Sequence, residues 1–223
     1  MKYIAEIQNA HEVCLLGTAD LDFWKSHLAA AALSPTNING YAQLILTAVE
    51  LKWLGVQFRE LSIAVRLDPT AAAEQSMYLV AAFNTSRLFA WCERAFFQTP
   101  YQHARVTVQT KSPFFELRDN TTVTLAARCN ATALTSPADE TWTGAIFLPN
   151  TATRPTRKLF HARLSGPVES TRFDTTADQF VLLPSPAQPA LQLLADSHFA
   201  PQEWRIRQRA THARSKTYAE KVA

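Results

Sequence analysis

The chain has 223 residues, with 47% apolar and 18% charged positions, 13 Phe and 5 Trp. That composition supports a substantial core and excludes a disordered chain. Only 5 glycines occur and the net charge is +3, so no glycine-rich phosphate loop and no strongly basic nucleic-acid binder is expected.

In chain order, "MKYIAEIQNAHEVCLLG" breaks any apolar run with Glu6, Gln8, Asn9, His11 and Glu12, and so does not read as a signal peptide. No run reaches the roughly 18 apolar residues that span a bilayer. "DLDFWKSHLAAAAL" reads as a helix capped by Asp20 and stopped at Ser34-Pro35. "GYAQLILTAVELKWLGVQFRELSIAVRL" reads as two strand-like segments bent at Gly55. In the first, Tyr41, Gln43, Ile45, Thr47 and Val49 share a face. In the second, Phe58, Glu60, Ser62 and Ala64 share one. "SMYLVAAF" is apolar throughout, the pattern of a central strand.

"TSRLFAWCERAFF" follows as a helix capped by Thr85 or Ser86. Its apolar stripe is Leu88, Trp91, Cys92, Ala95 and Phe96, with Cys92 read as inert core. Four or more strands come next: "QHARVTVQT", "PFFELRD", "TTVTLAARCN" and "ETWTGAIFLP". "RKLFHARLSGPVESTRFD" is a strand interrupted at Gly166-Pro167. "PALQLLADSHF" is a short helix, "EWRIRQRATH" a last strand, and 210–223 a basic tail. "PSPAQP" at 184–189 is a rigid connection, not a domain boundary. About ten strands and three helices with short turns predict one α+β domain over 1–223. Its sheet is mainly antiparallel, closed or half-closed into a barrel.

Cys14, Cys92 and Cys129 are odd in number and widely spaced, which fits reduced thiols in a cytoplasmic protein. No pair of side chains has metal-ligand spacing, and neither a metal nor a cofactor is expected. The densest group of chemical side chains follows Pro100: Tyr101, His103 and Arg105 alternate on one strand face. A Tyr–His pair turned inward can move protons near neutrality; turned outward, it is the polar start of a strand. Glu60, if its face is interior, is either paired with an arginine such as Arg87 or has a raised pKa.

"HEVCLLGTADLDFW", "GVQFRELSIAVRL", "NTSRLFAWCERAFFQTPYQHARV" and "EWRIRQRATHARSKTY" together resemble the acetoacetate-decarboxylase-like superfamily, from about His11 to Tyr218. The resemblance implies an antiparallel barrel flanked by helices, an internal apolar pocket and a homo-oligomer. In true acetoacetate decarboxylases a lysine just after the matching proline forms a Schiff base, a second lysine lowers its pKa, and a glutamate from an earlier strand orients the substrate. Here Tyr101 and Gln102 follow Pro100, and no lysine occurs between Lys52 and Lys111. An imine needs an amine. The reading is therefore a small, partly apolar ligand in a barrel cavity. Tyr101, His103 and Glu60 are its candidate acid–base groups, and Arg87, Arg105, Phe58 and Trp91 are candidate ligand contacts. The alternative is a non-catalytic binding or sensing module. Nucleic acid and membrane are not expected as partners.

Overall fold

Two-residue alternation dominates the chain, and the computed structural model, which describes residues 2–130, 134–149, 156–184 and 188–221, is built mostly of strands. In order they are β1 (Tyr3–Asp20), β2 (Asn37–Ile38), β3 (Tyr41–Trp53), β4 (Val56–Leu67), β5 (Ser76–Asn84), β6 (Tyr101–His103) and β7 (Arg105–Gln109). There follow β8 (Phe114–Asp119), β9 (Thr122–Arg128), β10 (Ala138–Leu148), β11 (Thr156–Arg172), β12 (Gln179–Leu182), β13 (Ala200–Ser215) and β14 (Tyr218–Lys221). Helix α1 is Leu21–Leu28. Helix α2 is Arg87–Cys92 and continues as a wider π-helical turn over Glu93–Phe97. Helix α3 is Pro189–Asp196.

The large sheet runs β1-β13-β11-β10-β5-β4-β3, and β1 also pairs with β3, so it closes into a ring. Most ring pairs are antiparallel, but β10 and β5 run parallel. β3 and β4 form a hairpin whose turn residues, Leu54 and Gly55, both have positive φ (49° and 82°), the twist a two-residue hairpin needs. A second, antiparallel sheet, β12-β9-β8-β7, lies outside the ring.

The alternation sends one half of each ring strand outward. Val13, Leu15, Leu44, Leu46, Leu61 and Ile63 pack in one cluster with Phe115, Leu117 and Leu125 of the second sheet, and with Trp24, Leu191 and Leu194 of the helices. Each such fully buried side chain contributes about 1.5–3 kcal/mol. Trp204 joins this core and donates its Nε1–H to Asp178 Oδ2 at 2.8 Å, so its polar edge is satisfied. Both helix caps form: Asp20 accepts from Phe23 N at 2.9 Å and Ser86 from Phe89 N at 3.3 Å.

Several expectations change. The N-terminal segment is a full strand and the element that closes the ring. The segment read as a basic tail is strand: β13 runs on to Ser215 and β14 pairs with β11. Of the connection at 184–189, residues 185–187 lie outside the described residues. The stripe of α2 is not core, for Leu88, Trp91 and Phe96 are 62%, 51% and 67% exposed. Helical periodicity defines a face but not what covers it. Leu88, Cys92 and Phe96 face the open mouth of a cavity, and Ala90 is the helix's buried residue.

Strand β11 also continues through Gly166-Pro167 instead of breaking there. Its pairing with β13 slips between Ser165 and Glu169. Gly166 absorbs the slip at φ +136°, where a Cβ would lie 2.3 Å from the Arg209 carbonyl oxygen. Gly166→Ala is therefore expected to destabilise the fold by roughly 2–3 kcal/mol, measured by urea unfolding. Among the described residues, no helix is long and apolar enough to cross a membrane.

Candidate active site

The inward halves of the ring strands surround a cavity of about 740 Å³. Alternation predicts which residues travel together, and the ring decides that they point in. Glu12, Cys14 and Leu16 come from β1, Ile45, Thr47 and Val49 from β3, and Phe58, Glu60, Ser62 and Ala64 from β4. The wall is mostly apolar and its polar groups fall into two clusters.

The first cluster centres on Glu60. Its Oε1 accepts from Asn84 Nδ2 at 2.7 Å and its Oε2 from Tyr101 Oη at 3.0 Å. Topology brings these three together. Glu60 pairs with Asn84 across β4–β5, and Tyr101 pairs with Ala82, two residues before Asn84, across the parallel β5–β6 ladder. The Asn84 amide is itself oriented, because its Oδ1 accepts from Ser86 N at 2.6 Å. Burial first, and then the nearby Glu93 charge, push the Glu60 carboxyl up to about 7, against the opposing pull of its two hydrogen bonds. Burial and the Glu60 and Glu93 charges hold the Tyr101 phenol well above its ordinary value, so it stays protonated. Glu93 sits on the π-helical turn. Arg214 Nη1 approaches both of its carboxylate oxygens at 2.6 Å, and Thr99 Oγ1 donates to it at 2.9 Å. The Arg214 guanidinium is sandwiched between the rings of Phe97 and Phe160, at 4.7 and 4.3 Å.

The second cluster lies where β1 meets β13. Glu12 is fully buried. Arg207 Nη1 donates to its Oε1 at 2.6 Å, and His212 Nε2 lies 2.9 Å from its Oε2, off the line of a hydrogen bond. Burial by itself would raise the Glu12 carboxyl, but His212 and Arg207 overcome that and hold it at about 2. Glu140 pairs with Arg205 and stands 3.5 Å from Arg207. Cys14 touches Thr47 Oγ1 at 3.4 Å, and burial followed by the Glu12 charge pushes its thiol far up, away from the thiolate a nucleophile needs.

Of the residues singled out in the sequence, Tyr101, Glu60 and Phe58 stand together on this wall. The other four lie elsewhere. His103 is exposed at the end of β6, where the chain leaves the ring for the second sheet, so the alternation that linked it to Tyr101 ends there. Arg105 is exposed on β7 of that second sheet. Arg87 opens α2 in solvent, and the place of a Glu60–arginine pair is taken by Asn84 and Tyr101. Trp91 stacks edge-on against Phe96 outside the wall. Conversely Glu12, Glu93, Arg207, His212 and Arg214 line the cavity without having been singled out. The signal for one of them was present: Arg207, like Arg205, alternates with buried Trp204 and Ile206. The register shift of β13 beside Ala10–Glu12 then reverses that parity, and hides His212 and Arg214. Among the described residues, no lysine lines the cavity.

No protein-family profile matches the chain, and no curated protein sequence matches it. Solved structures do. An acetoacetate decarboxylase-like enzyme from Sphingomonas wittichii RW1 superposes with a TM-score of 0.64 at 10% identity, covering 98% of this chain and 93% of that one. The enduracididine biosynthesis enzyme MppR, complexed with pyruvate, gives 0.64 at 12% identity, covering 98% and 91%. Acetoacetate decarboxylase from Legionella pneumophila gives 0.62 at 12% identity, covering 98% and 86%. A closed ring, an outer second sheet and near-complete coverage of these structures establish that the chain has the acetoacetate-decarboxylase-like fold.

Proposed function

We propose that the protein binds a small, partly apolar carbonyl compound in the ring cavity and exchanges protons with it through Glu60 and Tyr101, without a lysine imine. The observation that carries this reading is the 3.0 Å contact between Tyr101 Oη and Glu60 Oε2 inside an apolar-walled cavity. A carboxyl held at about 7 populates both protonation states near neutrality. As a carboxylate, Glu60 removes a proton from the carbon beside the carbonyl. That protonation weakens its hold on the Tyr101 hydroxyl, which then donates to the oxygen where enolate charge develops. Phe58, edge-on to Phe89 at 4.7 Å, forms part of the apolar wall against which the ligand lies.

The test is exchange of α-protons of small ketones into D2O, followed by NMR. Exchange is expected to rise with pH through about 7, because the base must be ionised. It is expected to fall by roughly 10²–10⁴ in Glu60→Gln. Borohydride with pyruvate or acetoacetate is expected to leave the protein mass unchanged; a trapped lysine adduct would overturn the imine-free reading. A non-catalytic binding module is the second reading, favoured by the predominance of apolar side chains on the wall. Ligand binding with no exchange at any pH would select it.

A further inference from the structure

Four of the five arginines on the cavity wall, among the described residues, already have a carboxylate balancing their charge. Arg214 is held by Glu93 and Arg207 by Glu12, each at 2.6 Å, Arg163 by Glu6 at 2.8 Å, and Arg205 by Glu140. Four guanidinium groups therefore meet four carboxylates. Arg66, the other arginine on the wall among the described residues, lies in solvent and donates to Gln43 Oε1 at 3.0 Å. A ligand carboxylate could claim the charge of one of those four guanidinium groups only by displacing its protein carboxylate, and Arg66 offers a solvated, screened charge at the surface. For Arg207 that would strand Glu12, which has no exposed surface, inside the wall. Most of the remaining lining is apolar, with Met77, Leu79, Ile146, Phe160, Phe58 and Val49 among it.

We infer that the cavity selects uncharged ligands, a neutral ketone or aldehyde with an apolar chain, and discriminates against keto acids and other carboxylates. This rests on the reading of the cavity as the ligand site. It adds to that reading the charge of the ligand, which the internal pairing of the arginines determines. A charged ligand would have to give up its hydration for guanidinium groups whose charge a protein carboxylate already balances.

The test uses the whole protein at pH 8 and a neutral fluorescent probe, Nile red. Displacement is compared for 2-nonanone and nonanoate, equal in chain length and different in charge. The ketone is expected to displace the probe at a concentration at least about tenfold lower than nonanoate. Equal or tighter binding of nonanoate would overturn the inference and leave the cavity reading standing. If the probe and both compounds fail to bind, the cavity reading falls and the inference with it. A gain-of-function arm distinguishes internal pairing from mere apolarity. Glu93→Gln releases Arg214, and Glu6→Gln releases Arg163 at a half-exposed pair where folding tolerates the change. Each is expected to shift the affinity ratio about tenfold toward nonanoate. An unchanged ratio in both folded variants would overturn the inference.

Discussion

Arg207→Met is expected to destabilise the protein by about 3–5 kcal/mol in urea unfolding at pH 7. The Arg207 side chain is 3% exposed and that of Glu12 not at all, so removing the cation leaves a buried carboxylate in the wall without its guanidinium partner. The double variant Glu12→Leu/Arg207→Met removes both charges and fills similar volume, and should recover most of the loss. The same pair sets the acid limb of stability. Glu12 is held at about 2 against an ordinary value of 4.5. A depressed carboxyl binds fewer protons in the folded state than in the unfolded one. Its contribution is thus complete above 4.5 and is lost as pH falls toward 2. The double variant should therefore unfold less steeply between pH 4.5 and 2 than the wild type.

Glu60→Gln is expected to do the opposite, raising stability at pH 8 by about 2–3 kcal/mol while slowing α-proton exchange by roughly 10²–10⁴. Here the folded value, about 7, lies above the unfolded 4.5. Between those limits the folded state binds more protons than the unfolded state, so wild-type stability falls as pH rises through the window. Glutamine carries no charge to desolvate, and the slope from pH 4.5 to 7 should flatten. The hydrogen bonds survive the change. Asn84, oriented by Ser86 N, keeps donating to the remaining oxygen, and Tyr101 Oη can accept from the new amide. A variant that lost stability at pH 8 would show that Glu60 is held ionised by the fold, not strained by it. Together the two variants separate a carboxylate that stabilises the ring from one that is kept at a cost in stability.

Much of this arrangement was legible in the residues. Phe58, Glu60, Ser62 and Ala64 alternate, and so do Gln43, Ile45, Thr47 and Val49; both sets face the cavity. Period-two patterning transmits relative facing along an unbroken strand. It fails where register slips. The shift in β13 reverses parity between Arg207 and His212, and the slip at Gly166 lets one strand pass through what reads as a stop. "TPYQHARVTV" divides between two sheets after three residues of β6, which parts Tyr101 from Arg105 and leaves His103 exposed at the strand's end. The α2 stripe misled for another reason: apolar residues at a cavity mouth and in a core share one spacing. Glu93 and Arg214, 121 positions apart, carry no local signal at all.

Closure of the ring also has a consequence for how the chain is made. β1 must be zipped between β3 and β13, and its register joins Tyr3 to Ser215. During synthesis the antiparallel pairing of β1 with β3 can form early, but the other edge of β1 waits for residues 200–215 to leave the ribosome. Until then a long strand keeps one row of amides and carbonyls unpaired. The finished ring is thus a late, non-local event, slow to form and exposed to mispairing between nascent chains, and dilution or a chaperone during refolding should raise the yield.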